Sequence, residues 1–151
     1  MHLIGAACAG FLIAVVWMDL MFDSQVLSHR EADELPEPVL ASIAGYYHRA
    51  TTTSRPMSHL VAAVMVILLG SLAFQFTIDD YPLWLMIVAA ALAGVPILLA
   101  LARTVRNAVR LGKRVDTVAE QSRLARSIFG DHALCLLCMS AFFAVWLTQA
   151  G

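Results

Sequence analysis

The sequence predicts an all-α, polytopic membrane protein: a four-transmembrane-helix bundle with amphipathic helices in its two cytoplasmic loops. Hydrophobic residues make up 60% of the 151 residues and charged residues only 14%, whereas a soluble domain carries roughly 25% charged residues. The apolar residues gather in four runs, and crossing a bilayer as a helix takes roughly 20 such residues. Because lipid offers the backbone no hydrogen-bond partners, isolated spanning runs must be helices.

Four runs qualify as spans, and they cover residues 3–22, 56–77, 81–102 and 131–148. The second and third runs are separated only by Ile78, Asp79 and Asp80, which is enough for a tight turn, so these two helices are predicted to form an antiparallel hairpin. The remaining segments 23–55 and 103–130 are the two loops of a single membrane domain, residues 1–151. Pro96 removes a backbone donor inside the third span and should kink it.

The distribution of cations predicts the orientation in the membrane. All ten lysine and arginine residues lie in the two loops, and none lies in the tails or in the turn at 78–80. Lysine and arginine are enriched in cytoplasmic loops of membrane proteins. We therefore expect a multi-pass protein of the bacterial plasma membrane (the cell inner membrane), with both loops cytoplasmic and with extracytoplasmic N- and C-termini.

Both loops contain helical patterns. In the first loop, Glu37 and Pro38 suit the first turn of a helix, and apolar residues then recur at helical spacing: Val39, Leu40, Ile43, Tyr46 and Tyr47. This pattern is typical of an amphipathic helix at the membrane surface.

The second loop is predicted to begin as a helical extension of the third span that ends at Gly112. A further amphipathic helix is predicted from 115 to 129. Either Gly130 ends that helix and Asp131 caps the fourth span, or one unbroken helix runs through Gly130.

Polar residues of all four predicted helices lie at the cytoplasmic end of the bundle. They define a candidate polar pocket, whose residues are Asp19, Asp23, His59, Arg103, Arg106, Asn107, Asp131 and His132. Asp19 lies about one turn inside the first span, and a carboxylate in hydrocarbon costs about 2.5–3.5 kcal/mol at the bilayer centre. Asp19 should therefore face the bundle and pair, with Arg55 or Arg103 as candidate partners. Asp23 lies on the same helical face.

The same residues raise the question of a metal site. Carboxylate and imidazole groups at helical spacing build the di-metal sites of helical bundles, and the groups that fit are those of Asp19, Asp23, His59, Asp131 and His132. The Glu-x-x-His pairs of such sites are missing from this pattern, so we assign no metal and expect no cofactor.

The cysteines offer a second chemistry. Cys135 and Cys138 form a C-x-x-C motif in the fourth span, and in this respect the chain resembles the four-helix vitamin K epoxide reductases. That family also needs a second cysteine pair in an extracytoplasmic loop, which this chain lacks, and its C-x-x-C lies near the outer side. Here the motif lies near the cytoplasmic end, so we interpret both cysteines as small apolar packing residues.

A second resemblance covers most of the chain. It is carried by a small-residue-rich first helix at 5–11, by Arg103, Arg106 and Asn107 after the third span, and by Arg123, Arg126 and His132 before and in the fourth. In these features, together with its long first loop, the chain is similar to small bacterial membrane proteins of the anthrone-oxygenase-like group. The stretch 17–23 resembles uncharacterised bacterial membrane proteins of this size. The resemblance implies a four-helix membrane fold and does not imply one particular reaction.

Three functions remain open. The first is a non-enzymatic subunit or small-ligand-binding module that uses the cytoplasmic pocket. The second is a membrane oxidoreductase for a lipophilic aromatic or quinone-like substrate, with His132 or His59 as the base and Asp19 or Asp131 positioning it. The third is a proton or ion pathway through Asp19. The expected partners are the lipid bilayer and either further copies of this chain or another membrane protein; the net charge of −1 gives no indication of nucleic acid binding.

Overall fold

The structure is a computed structural model that describes residues 2–78 and 81–148. Within these residues the chain is almost entirely helical. The elements are α1 (His2–Asp23), a 3-10 helix (Ser24–His29), α2 (Glu37–Thr52), α3 (Arg55–Ile78), α4 (Leu83–Leu99), a π-helical turn (Ala100–Thr104), α5 (Val105–Lys113) and α6 (Val118–Thr148).

Four helices are long and apolar enough to cross a membrane, which confirms the predicted four-helix bundle. They run over Leu3–His29, Pro56–Ile78, Leu83–Lys113 and Val118–Thr148. The predicted turn between the second and third spans includes Asp79 and Asp80, which lie outside the described residues. We call the end where α3 leads to α4 the hairpin end. The opposite end, which carries the 3-10 helix, α2 and the connection from α5 to α6, is the loop end.

The bundle has two buried cores. Toward the hairpin end, α1, α3, α4 and α6 bury small and large apolar side chains against one another: Cys8, Ala9, Leu12, Leu68, Leu72, Ala89, Ala93, Met139, Phe142 and Trp146. At the loop end, α2, α5 and the first half of α6 enclose a second core: Val26, Leu35, Leu40, Ile43, Ala44, Tyr47, Ala108, Leu111, Leu124, Ala125 and Ile128. The loop end is thus a packed layer beneath the spanning helices.

The predicted amphipathic helix of the first loop is confirmed as α2. It begins at Glu37 with Pro38 in its first turn, where the missing N–H of proline costs nothing. Its apolar face is buried in the loop-end core, and α2 packs most closely on α5. The closest approach is at Gly112, where an added Cβ would lie 2.9 Å from the backbone nitrogen of His48.

The helix after the third span differs from the prediction in where it ends. Gly112 does not end it; Gly112 is helical and buried, and its lack of a side chain admits α2. The helix ends at Lys113, and Arg114 follows in the left-handed region (φ 52°, ψ 37°). Upstream, Pro96 lies inside α4, and the π-helical turn presents Arg103 and Thr104 toward α6.

The helix α6 runs unbroken through Gly130, so the alternative with a break there and with Asp131 as a helix cap is wrong. Gly130 lies on the exposed face of α6, and an added Cβ would meet nothing within 4 Å. The buried face continues past it at helical spacing from Ile128 through His132 to Cys135. The free energy gained by burying this face on both sides of Gly130 outweighs the cost of a glycine within a helix, which is about 0.5–1 kcal/mol.

Candidate functional site

Two carboxylates of α1 face the interior at the loop end. Asp19 and Asp23 lie one turn apart on the same face of the helix. Asp23 is fully buried, and the Asp19 side chain is 18% exposed. Burying carboxylates is costly unless hydrogen bonds and opposite charges compensate them, so the groups around them decide what this site can do.

Two tyrosines of α2 provide the hydrogen bonds. Tyr46 donates its hydroxyl to Oδ1 of Asp19 at 2.6 Å, and Tyr47 donates to Asp23, whose two oxygens lie 2.7 and 2.9 Å away. The ring of Tyr46 also stacks on Phe22, with centroids 4.2 Å apart. Burial, together with the neighbouring carboxylates, raises the pKa of both phenols well above the usual value. Both tyrosines therefore remain neutral hydrogen-bond donors.

The imidazole of His132, on α6, lies between the two carboxylates. Its Nδ1 is 2.7 Å from Oδ2 of Asp23, and its Nε2 is 3.7 Å from Oδ2 of Asp19. The hydroxyl of Tyr47 lies 3.4 Å from Nδ1. We call these five residues, Asp19, Asp23, Tyr46, Tyr47 and His132, the acid–histidine cluster. It joins α1, α2 and α6.

The geometry of the imidazole fixes a minimum number of protons in the cluster. Since Nδ1 lies 2.7 Å from an oxygen of Asp23, one hydrogen must lie between these two atoms, and we assign it to Nδ1, which then donates to the carboxylate. In a neutral imidazole, Nε2 would then present its lone pair to the Asp19 carboxylate. Two like partial charges at 3.7 Å in a buried site repel each other. One further proton on Nε2 would replace this repulsion by an ion pair between His132 and Asp19.

A second charged site involves the preceding residue of α6, Asp131. Asp131 is 1% exposed, and it binds the guanidinium of Arg103, whose Nε is 3.1 Å from Oδ2. Thr104 donates its hydroxyl to the same oxygen at 2.8 Å. This site ties the π-helical turn to α6, while His132 faces the other way, toward α1 and α2.

The structure therefore divides the predicted pocket. Asp19, Asp23 and His132 meet in the cluster, whereas Arg103 pairs with Asp131 and not with Asp19. The other proposed partner of Asp19, Arg55, lies outside the side chains that the structure describes.

Three predicted pocket residues lie outside both sites. His59 is exposed on α3. Arg106 is exposed and donates to the carbonyl oxygen of Ala102 in the preceding turn, and Asn107 lies 3.4 Å from the hydroxyl of Ser127. In the part of the chain that the structure describes, none of the three forms a hydrogen bond or ion pair with a residue of the acid–histidine cluster.

Neither metal chemistry nor cysteine chemistry is indicated by the described geometry. Among residues 2–78 and 81–148, no group of three or more histidine, cysteine and acidic side chains has an arrangement that could hold a metal ion. Cys135 and Cys138 are free thiols, and Sγ of Cys135 lies 3.9 Å from the carbonyl oxygen of Pro96. This placement fits their interpretation as packing residues of α6.

Comparison with known proteins gives no family for this chain. No protein-family model, no curated protein and no solved structure matches it. The resemblance to the anthrone-oxygenase-like group therefore stays a prediction from short motifs. The function has to be argued from the site.

Sequence reasoning missed the two tyrosines as members of the site. Tyr46 and Tyr47 were predicted as part of the apolar face of α2, and they are packed there, but their hydroxyl groups extend to α1. A signal was present, because a buried tyrosine normally finds a partner for its hydroxyl, and the carboxylates of Asp19 and Asp23 were predicted at the same end of the bundle. Thr104 was also missed, because nothing in its local sequence indicates that its hydroxyl binds a residue of α6.

Proposed function

We propose that this protein is a non-enzymatic membrane subunit that binds a proton at the acid–histidine cluster and thereby changes how firmly α2 is held on the bundle. The observation that carries the proposal is the position of His132, with both ring nitrogens facing carboxylate oxygens at 2.7 and 3.7 Å. The small ligand of the module is thus a proton, held on Nε2 of His132 and balanced by the carboxylate of Asp19. Ionisable groups within membrane-spanning segments commonly mark proton-binding sites.

The charge of the cluster affects how α2 is held, because Tyr46 and Tyr47 of α2 bind the two carboxylates directly. With hydrogens on both ring nitrogens of His132 and both carboxylates ionised, the net charge is −1; with a hydrogen on Nδ1 alone it is −2. The charged or titratable groups that face His132 are the carboxylates of Asp19 and Asp23 on α1 and the phenol of Tyr47 on α2. On α6 itself, Asp131 precedes His132 and Cys135 follows about one turn later. None of these is a cation, so losing the proton leaves buried negative charges that repel each other.

A proton pathway across the whole membrane is less well supported than one-sided binding. Toward the hairpin end, the spanning helices carry no charged residue in the stretches 3–18, 60–78, 83–102 and 133–148. A relay through the bilayer would need further titratable groups along these stretches. The oxidoreductase alternative stays a prediction, with His132 now the better candidate for its base because His59 lies outside the cluster.

We also propose that the loop end is cytoplasmic and that both termini are extracytoplasmic in a bacterial plasma membrane. Support comes from the cations, which all belong to the loop-end segments of the chain, as the positive-inside rule requires of a cytoplasmic side. The cluster would then exchange its proton with the cytoplasm through the partly exposed Asp19. Association with further copies or with a partner membrane protein remains part of this proposal.

Hydrogen–deuterium exchange of the α2 amides tests this function. We expect α2 to exchange faster at about pH 8 than at about pH 6, a range in which histidine changes its charge, after correction for the chemical exchange rate. Asp19→Asn removes the carboxylate that needs the extra proton and keeps an oxygen that can accept from Tyr46. In this variant α2 should stay protected, and its pH dependence should disappear.

His59→Asn serves as the matched control, because it removes an exposed histidine outside the cluster and should leave the pH dependence of α2 intact. The proposal is contradicted if wild-type α2 shows no pH dependence. It is also contradicted if Asp19→Asn retains the full effect.

A further inference from the structure

A stripe of exposed apolar side chains on α4 and α5 is followed by two cations that form no ion pair with a described acidic residue. From α4 through the π-helical turn into α5, large apolar side chains stay exposed at helical spacing: Leu98 is 67%, Leu101 68% and Val105 51% exposed. Two exposed cations, Arg106 and Lys113, follow farther along the same continuous helix, Leu83–Lys113. Exposed apolar side chains therefore give way to exposed basic ones along this helix.

The guanidinium of Arg106 is held at the boundary between the two parts of the stripe. It donates to the carbonyl oxygen of Ala102, which lies one turn back toward the bilayer. Side chains in helices incline toward the N-terminus, which for α5 is the membrane side. The bond uses one of the five donors of a guanidinium, so four remain for a ligand.

The charge balance around α5 distinguishes Arg106 and Lys113 from the neighbouring cations. Arg103 is bound to Asp131, and Arg110 lies 2.8 Å from Asp116 and 3.1 Å from Glu120. Within residues 2–78 and 81–148, Arg106 and Lys113 form no ion pair. An anionic group at this level of the bilayer would therefore meet uncompensated positive charge.

We propose that this stripe is a binding site for one anionic phospholipid. The acyl chains would lie along Leu98, Leu101 and Val105, and the phosphate would accept hydrogen bonds from Arg106, with Lys113 adding charge. A guanidinium binds phosphate oxygens through paired N–H donors. The occupant is thus a lipid whose apolar and anionic parts match the two halves of the stripe.

Native mass spectrometry of the protein in a neutral detergent tests the site. Phosphatidylglycerol and phosphatidylcholine, supplied in equal amounts, should bind unequally, with phosphatidylglycerol retained in preference. Arg106→Gln should reduce this preference about fivefold, which corresponds to about 1 kcal/mol for one basic residue at the membrane surface. Lys113→Gln should reduce it by less, because Lys113 lies two turns farther from the apolar stripe.

Arg49→Gln is the matched control. It removes one exposed cation from the same end of the molecule, but the exposed face of α2 carries no large apolar side chain. The preference should stay at the wild-type value in this variant, and an excess of inorganic phosphate should not displace the lipid.

Three results would each overturn the site. These are equal binding of the two lipids to the wild type, equal losses for Arg106→Gln and Arg49→Gln, and displacement of phosphatidylglycerol by inorganic phosphate. Since Arg106 is exposed and bonds only to its own helix, the variant should keep the fold. An unchanged circular-dichroism melting curve verifies this, and Lys113→Gln provides the second test of the same surface.

Discussion

Replacing Gly112 by alanine tests whether α2 rests on α5 as closely as the structure describes. The new Cβ would lie 2.9 Å from the backbone nitrogen of His48, 3.1 Å from its Cα and 3.2 Å from the carbonyl carbon of Tyr47. All three atoms belong to the backbone of a helix and cannot rotate aside. The whole of α2 must therefore move, and Tyr46 and Tyr47 move with it, away from the carboxylates of α1.

The cost of this clash can be isolated with a second glycine. Overpacking a well-packed contact costs about 1–3 kcal/mol, while alanine gains about 0.5–1 kcal/mol over glycine within a helix. Gly130→Ala carries the same helical gain without the clash, because an added Cβ there meets nothing within 4 Å. The propensity gain cancels between the two variants, and Gly112→Ala should be less stable than Gly130→Ala by about 1–3 kcal/mol.

Reversible unfolding in mixed micelles measures this difference, and hydrogen exchange shows where it acts. Gly112→Ala should lose protection over Glu37–Thr52 before it loses protection in the spanning helices. Equal stability of the two glycine variants, with α2 fully protected in both, would refute the described contact between α2 and α5.

Three further predictions concern the tyrosines and the second charged site. Tyr47→Phe should lower the free energy of unfolding by about 1.5–3 kcal/mol, since it removes a hydrogen bond to a buried charged group. In the same unfolding assay, Tyr46→Phe should lower it by less, because its partner, the carboxylate of Asp19, is partly exposed. In a Tyr81→Phe background, alkaline absorbance titration should show no phenol ionisation near pH 10 while the protein is folded. The pKa of both remaining phenols is raised in the folded state. Their contribution to the free energy of unfolding is therefore complete below about pH 10 and falls as pH rises, by up to about 1.4 kcal/mol per pH unit for each tyrosine. Ionisation of both phenols near pH 10 in the folded protein would contradict the cluster. Arg103→Gln should melt at a lower temperature than the double variant with Asp131→Asn, because the single change leaves a buried carboxylate without its cation; equal melting would contradict the pairing.

The sequence was sufficient to predict the groups that cannot be hidden in an apolar helix. Asp19, Asp23 and His132 interrupt apolar runs, and the helical period places the two carboxylates on one face. A charge in such a position must face the bundle interior. These considerations gave both the residues and the end of the bundle where they meet, and the same periodicity predicted α2.

The choice of partners could not be predicted from the same signals. Arg103 and His132 were both within plausible reach of Asp19, and the outcome depends on the rotation of α6 about its axis, which places Asp131 toward Arg103 and His132 toward α1. That rotation is set by packing across the whole bundle. The same packing keeps α6 continuous through Gly130, and this continuity cannot be predicted from local helix propensity.

The most direct test of the central claim is the ¹⁵N spectrum of the His132 imidazole in membranes at about pH 7, where an unperturbed histidine is mostly neutral. Selective labelling and a His132→Asn reference assign its signals among the five histidines. The geometry predicts that both ring nitrogens carry hydrogen in the wild type and that Nε2 loses its hydrogen in Asp19→Asn, where the opposing carboxylate is gone. A wild-type spectrum with a bare Nε2, unchanged in Asp19→Asn, would contradict a proton held on Nε2 of His132 opposite Asp19.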